Sequence, residues 1–554
     1  MVSKLLLRLV LVLAAVIAIY FGTAWYHSLK LGPGEEPDDW IASTLVDPKS
    51  LAVAGAANVT LILENPQGLE KGDYDRFLHA DQGSLLLPED IFRGLEALED
   101  GELFFATENL RQWRYLAPGK SAPNSLPIGF ALTTNPWKGE HFVGLTCTAC
   151  HSGFLTYKGT GLYVVGAPTQ ADFQSMTEAL AQALTETLKD AERFDRFAVR
   201  LGADNQTKRQ DLRNRLQREE ELMRHRVQIN ASELRYGFGR VDAVGQIYNM
   251  ATADNLNLPQ NLHPPEAPVS YPHIWGTGQA DVAQWTGFAP NSIPGAVLLR
   301  NVGEVIGVFG RVDVLDGKTA YPSSVNVVEL GDLEAWVNRI EPPAWPEAVF
   351  GPIDQDLAAM GKGLYARHCE GCHVLATPYE AYKATLVSPD ELGVDPLAAR
   401  NTVSKGVSPS GKTELKLKLL IQQTFHVIAE HPIEAVEAIL QGKVLDKFGK
   451  RGGYTYKART LNGIWATAPY LHNGSVPSLY HLLSPPEERP STWRYGGWEF
   501  DPKHVGLEEF DGPDGFVLDT SKPGNRNTGH DSRIFGKVFT EDERWALIEY
   551  LKTL

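Results

Sequence analysis

Apolar and polar positions alternate with a helical period over much of the chain. In residues 170–226, Met176, Leu180, Leu184 and Leu188 recur at every fourth position, which stacks them on one helical face. Residues 208–226 carry dense charge of both signs, the pattern of an exposed helix. Leu357, Met360, Leu364 and Tyr365 fall at helical spacing within residues 354–369, and residues 415–444 carry further helical pattern. Residues 540–554 read as a short amphipathic helix opened by the capping box Thr540-Glu541-Asp542-Glu543. Met176 lies in an apolar stripe and is read as core rather than as a metal ligand.

One stretch departs from this pattern. Residues 9–26 form a mostly apolar run, long enough to cross a bilayer as a helix. Lys4 and Arg8 precede it, Tyr20, Phe21, Trp25 and Tyr26 close it, and no clear small-residue cleavage site follows. These features favour an uncleaved anchor over residues 1–26, with a cleaved signal as the alternative; the N-terminus would lie in the cytoplasm and the rest of the chain across the membrane. Gly32-Pro33-Gly34-Glu35-Glu36-Pro37 then reads as a solvated linker, and Pro342-Pro343-Ala344-Trp345-Pro346 as a boundary.

The chemistry is carried by two pentapeptides, Cys147-Thr148-Ala149-Cys150-His151 and Cys369-Glu370-Gly371-Cys372-His373. Each reads C-x-x-C-H, the sequence at which haem is joined covalently. The thiols form thioethers with the haem vinyl groups, and the adjacent histidine binds the iron. The two copies stand 222 positions apart and use all four cysteines, which leaves none for a disulfide or a separate zinc site. Two covalently bound haems c are expected, with His151 and His373 as proximal ligands. The chain then divides into the anchor (1–26), a linker and N-terminal extension (27–102), a first c-type haem domain with a large insert (103–341) and a second c-type haem domain (342–554). The expected fold is mainly α, with two cytochrome c-like haem domains, long loops and the transmembrane helix.

The insert is rich in Gly, Pro and aromatic residues, notably from Tyr271 to Trp275 and from Gln284 to Phe288. Loops of this composition commonly line pockets. Trp275 and Trp285 lie between the haem motifs and are candidates to carry an electron from one haem to the other; ordinary packing is the alternative. Phe288 fits an apolar pocket wall, Gln284 a polar one. Arg300 and Arg311 are candidate partners for haem propionates. Lys plus Arg is 52 against 68 for Asp plus Glu, a formal charge of −16. That balance argues against a nucleic-acid partner and is compatible with docking a basic redox protein.

Two C-x-x-C-H motifs in one chain resemble the bacterial di-haem cytochrome c peroxidase superfamily. The sharper match is Thr467-Ala468-Pro469-Tyr470-Leu471-His472-Asn473-Gly474-Ser475, about a hundred residues beyond the second haem motif. The resemblance implies a calcium ion held by the carbonyls of Thr467 and Pro469, and a non-ligating histidine, His472, near the haem. Where the peroxidases carry the methionine ligand of the second haem, this chain has Pro486. The closing run Gly524-Asn525-Arg526-Asn527-Thr528-Gly529-His530, the long insert and Arg300-Asn301-Val302-Gly303-Glu304-Val305 look like the branch that contains the rubber oxygenases. That branch implies His530 as distal ligand of the haem at His373, and a haem at His151 left open. The likeness covers about residues 100–554 and does not carry a substrate with it.

The function expected is an extracytoplasmic di-haem c-type oxidoreductase. It would use dioxygen or hydrogen peroxide at one open haem, while the second haem, six-coordinate, transfers electrons. Trp275, Trp285 and Phe288 are the candidate catalytic residues. The expected location is the bacterial inner membrane, single-pass, with the haem domains in the periplasm and a redox protein as partner. The rival reading is a membrane-tethered electron-transfer cytochrome without substrate chemistry.

Overall fold

The computed structural model describes residues 41–42, 59–99, 101–119, 126–291, 295–315, 318–377, 380–441 and 453–554. The region before and around the first haem motif is built on strands: β1 (Ile41–Ala42), β2 (Leu61–Asn65), β3 (Leu87–Pro88), β4 (Phe130–Thr134), β5 (His141–Leu145), β6 (Ser152–Tyr157) and β7 (Thr160–Val165). They form a four-stranded sheet in the order β1-β2-β7-β6 and a three-stranded sheet in the order β3-β5-β4. β6 and β7 make a hairpin in which Tyr157 pairs with Thr160. The two residues between them, Lys158 and Gly159, have φ of +49° and +84°, as a two-residue type I′ turn requires. β2 then joins β7 in parallel, from Leu61 opposite Thr160 to Asn65 opposite Val164.

Seven helices organise the description that follows: α1 (Phe173–Lys189), α2 (Gln206–Ile229), α3 (Ala296–Gly307), α4 (Val327–Val337), α5 (Gln355–His368), α6 (Lys416–Ile428) and α7 (Glu541–Lys552). α1 begins where the Asp172 side chain accepts from Ser175 N, and it buries Met176, Leu180 and Leu184. Met176 is therefore core. α2 was expected to be exposed, but it buries Leu212, Leu216 and Met223 together with the charged Glu220 and Arg226, while most of its other charged positions face outward. Trp40–Leu554 form one compact unit, whose largest core runs from Phe154 and Trp275 through Trp465 to Leu547.

The expected mainly α fold is corrected. Among the described residues helix accounts for about 40% and strand for about 15%, and the first haem motif sits between β5 and β6 rather than at a helix end. The strands escape a reading by alternation because Phe154, Leu155, Leu162, Tyr163, Val164 and Val165 are all buried, so that neighbouring positions on both faces are apolar. No helix among the described residues is long and apolar enough to cross a membrane, and the expected anchor at 1–26 lies outside the described residues.

The second motif has the helical setting. α5 runs into Cys369 as its C-cap, and α7 opens with the full capping box of Thr540 and Glu543. The two helices pack closely because Gly361 has no side chain: a Cβ there would lie 1.9 Å from Ala546 O. Tyr365 and Tyr550 meet beside it with ring centres 5.2 Å apart. Gly361→Ala is expected to cost about 1–3 kcal/mol through overpacking, read as a lowered Tm in thermal unfolding. Gly363→Ala, whose new atom would meet only the tip of Arg367 at 3.7 Å, should leave Tm unchanged or raise it.

Candidate haem centres

The first motif is a tight turn held by its neighbours. The Thr146 side chain accepts from Thr148 N, closing a single 3-10 turn over Cys147–Ala149, and His151 N donates to Cys147 O at 2.9 Å. Thr148 Oγ1 donates to Leu78 O at 2.8 Å. Gly129 lets the turn press against β4, since a Cβ there would lie 2.4 Å from Ala149 Cα. His151 Nδ1 bonds the carbonyl of Pro272 at 2.8 Å. A carbonyl only accepts, so Nδ1 carries the proton and Nε2 is left for a metal. Burial pushes this imidazole down to about 4, which keeps it in the neutral, ligating form.

The second motif repeats the arrangement. His373 N donates to Cys369 O at 2.9 Å, Tyr365 OH donates to His373 O at 2.6 Å, and His373 Nδ1 bonds Arg459 O at 2.8 Å. None of the four cysteines is in a disulfide. Burial raises Cys147 and Cys150 to about 12 and Cys369 to about 11, so these thiols are not poised as exposed thiolate nucleophiles.

What faces each histidine differs. The His530 ring lies opposite His373 with centres 6.1 Å apart and planes at 76°. Two imidazoles clamping one metal, each through a bond of about 2 Å, hold their ring centres about 6 Å apart. Burial pushes His530 down to about 3, again the neutral form. His151 instead faces a cavity of about 290 Å³ lined by Phe288, Leu299 and Ile421, with Gln284, Glu304 and Arg459 among its polar groups.

Residues 455–494 match the family described as RoxA-like, cytochrome c-like. The uncharacterized protein y4iJ of Sinorhizobium fredii (strain NBRC 101917 / NGR234) is 31% identical over 548 residues, spanning 86% of this chain and 90% of that protein. The chain belongs to the y4iJ family. The uncharacterized protein y4iM of the same organism is 27% identical over 331 residues, 52% of this chain and 66% of its own length. The RoxA-like match places this y4iJ-family protein on the rubber oxygenase-like cytochrome c side of the resemblance, with covalently bound haem c and haem-dependent oxidoreductase chemistry.

The cavity fits such a group. Arg459 is 8% exposed, donates to His273 O, lies over the Trp285 ring at 5.1 Å, and keeps a buried Nε without a hydrogen-bond partner. A buried cation with an unmatched donor calls for an acidic group beside it, and haem brings two propionates. Arg459 was missed by sequence reading. Arg300, which was expected in that role, is occupied by the Glu334 carboxylate and by Asn291 Oδ1 at 2.8 Å. Arg311 pairs with Glu219 at 3.0 Å and is not part of the cavity lining. Glu304, also missed, accepts from the Gln284 amide. Its side chain stays 39% accessible from within the cavity, and burial raises its carboxyl above the usual range.

Trp275 is buried between the two histidine supports. Its ring stacks on His273 with centres 4.8 Å apart, and its Nε1 donates to Asn462 O at 2.8 Å. Trp285 Nε1 donates to Ser270 O at 2.8 Å, and Trp285 and Phe288 both line the cavity. Thr467 closes the 3-10 turn Ile464–Thr467, its hydroxyl donating to Ile464 O at 2.8 Å, and Pro469 follows. Among the described residues no group of three or more His, Cys, Asp or Glu side chains is arranged to hold a metal ion. His472 is buried and stacked on Tyr456 at 4.1 Å. Replacing Cys147 and Cys150 together by Ser should lower the covalent haem count per chain by one. The count comes from the pyridine haemochrome of denatured protein, and an unchanged count would remove the first attachment site.

Proposed function

We propose that the protein is a di-haem c-type oxidoreductase whose two centres are unequal. The centre at His151 is open to dioxygen or peroxide; the centre at His373, closed by His530, handles electrons. The observation that carries this reading is the contrast between an imidazole facing His373 at 6.1 Å and a cavity facing His151. When bound, haem supplies the iron redox chemistry toward the oxidant. The chain supplies the rest. His151 and His373 are oriented by carbonyls, Arg459 holds an acidic edge of the cofactor, and Phe288, Leu299 and Ile421 exclude water.

Glu304 and Gln284 supply the proton handling that a reaction with peroxide or dioxygen needs. The raised carboxyl of Glu304 keeps a proton to higher pH than an exposed glutamate would, and Gln284 orients it. Trp275, between the two centres, is the aromatic route for electrons. The haem-bearing region belongs outside the cytoplasm, the compartment in which bacterial c-type haem is attached, and its −16 charge suits a basic redox protein. The carbonyls of Thr467 and Pro469 are the place for the calcium ion that the resemblance implies, and no step depends on it.

Carbon monoxide added to the reduced protein should bind one haem per chain, and paramagnetic resonance of the oxidised protein should show one low-spin bis-imidazole iron beside a second, different iron. Binding at neither haem would sink the enzyme and leave an electron carrier. Glu304 should act in its protonated form, so turnover with the oxidant should fall as pH rises through its raised pKa. Glu304→Gln should lower kcat by roughly 10²–10⁴-fold and abolish that limb of the pH profile; a wild-type rate and profile would exclude Glu304 from proton transfer.

A further inference from the structure

We propose that Arg489 is the positioning residue that keeps His530 over the second centre, and so sets which of the two irons stays closed to outside ligands. This rests on the reading of His373 and His530 as axial partners and goes beyond it by naming what holds the second one. His530 needs such support. It lies outside every helix and strand, with φ of +50°, directly after Gly529 at +74°. A residue with a side chain seldom occupies that region and stays there only where its surroundings over-determine it. The ring is not anchored at Nδ1 by a neighbour, as the other two are. His151 and His373 each spend Nδ1 on a carbonyl, whereas His530 Nδ1 is buried without a hydrogen-bond partner, and its ring meets Phe535 edge-on at 4.9 Å. The placement of this imidazole is therefore decided by its backbone.

Arg489 holds that backbone. It is 5% exposed, and its donors converge on carbonyls from two directions. Toward the ligand loop, Nη1 donates to Asn527 O at 2.6 Å and Gly529 O at 2.8 Å, and Nη2 donates to His530 O at 3.1 Å. Toward the short helix Leu479–Leu483 and its end, Nη2 donates to Leu482 O at 3.0 Å, and Nε donates to His481 O at 3.1 Å and Ser484 O at 3.3 Å. The planar fork of a guanidinium can span such a set, and a lysine ammonium cannot. Further bonds fix the loop to its other neighbour: His530 N donates to Leu392 O at 3.0 Å, and Thr528 Oγ1 to Gly393 O at 3.0 Å. Those bonds set the height of the loop against that turn. Arg489 grips the carbonyls on either side of the His530 α-carbon and so fixes the direction in which the imidazole leaves the chain.

The test uses the full haem-loaded chain. Arg489→Met removes every donor while keeping an unbranched side chain of similar reach. Wild-type protein should show the low-spin bis-imidazole signal and take up one carbon monoxide when reduced. In Arg489→Met that signal should be lost and uptake should rise to two per chain, with haem content by pyridine haemochrome unchanged. Arg489→Lys should recover part of the signal. Retention of the low-spin signal and of single uptake in a fully haem-loaded Arg489→Met overturns the proposal. Should that variant not accumulate with haem, Arg489→Lys carries the same test: partial loss of the signal is expected, and full retention overturns it. A wild-type protein lacking the bis-imidazole signal would instead refute the axial reading itself, before any variant is compared.

Discussion

An imidazole binds a metal only through a nitrogen free of its proton, so a haem histidine has to keep that proton on its other nitrogen and give it an acceptor. A backbone carbonyl serves this purpose well, because it has no proton to offer in return. His151 uses the carbonyl of Pro272 and His373 that of Arg459. The two segments that carry these carbonyls are bound to each other. The Arg459 guanidinium donates to His273 O, and Trp275 Nε1 donates to Asn462 O at 2.8 Å. A shift of either segment would therefore move the group that orients the other imidazole. Close packing around the fully buried Trp275 and Trp465 resists such a shift, and the two centres are held by one seam of backbone rather than by two separate scaffolds.

The same seam explains an imbalance of charge. The chain as a whole is strongly acidic, yet the wall of the cavity carries cations. Arg300 is neutralised from within the protein by Glu334, with Glu304 a further 3.9 Å contact. Arg459 is treated differently, with a backbone carbonyl and an indole face as its neighbours. A buried guanidinium left so lightly matched is costly unless an anion arrives. Cofactor binding supplies such an anion, so the stability of this region and the loading of the first centre are linked.

What could be read from sequence is what is chemically local. The C-x-x-C-H motifs need five consecutive residues and the capping box of α7 four; the box forms as expected, while the first motif lies between strands and the second ends a helix. His530 came into view through its closing run. The strands around the first motif did not, because they are short, buried on both faces and in part joined by the non-local parallel pairing of β2 with β7. The apolar stripe of α2 was hidden among its charges. Arg459, Glu304 and Arg489 are single polar residues that no spacing marks, even though Glu304 lies within the run 300–305 that carries the resemblance. Their roles exist only once distant segments meet: Arg489 with 527–530, Arg459 with His273, Glu304 with Gln284. Composition also offers twelve tryptophans, and it takes the bond from Trp275 to Asn462 to place one of them across the seam.

The two motifs are alike in sequence, in tautomer and in the burial of their histidines, so nothing within the pentapeptides makes one centre different from the other. The difference is set by the opposite wall. Over His373 an irregular loop presents an imidazole at metal-clamping distance. Over His151 stand α3 and α6, regular helices that present Leu299, Gly303, Leu420 and Ile421 to the cavity. His273 is also part of that lining, but it follows Pro272 in the chain and belongs to the segment that orients His151. A helix fixes side-chain direction by its own period, and neither α3 nor α6 places a His, Cys or Met in the lining. On the proposed reading, the motifs number the attachment sites, and what faces each one decides whether its metal is closed or left open.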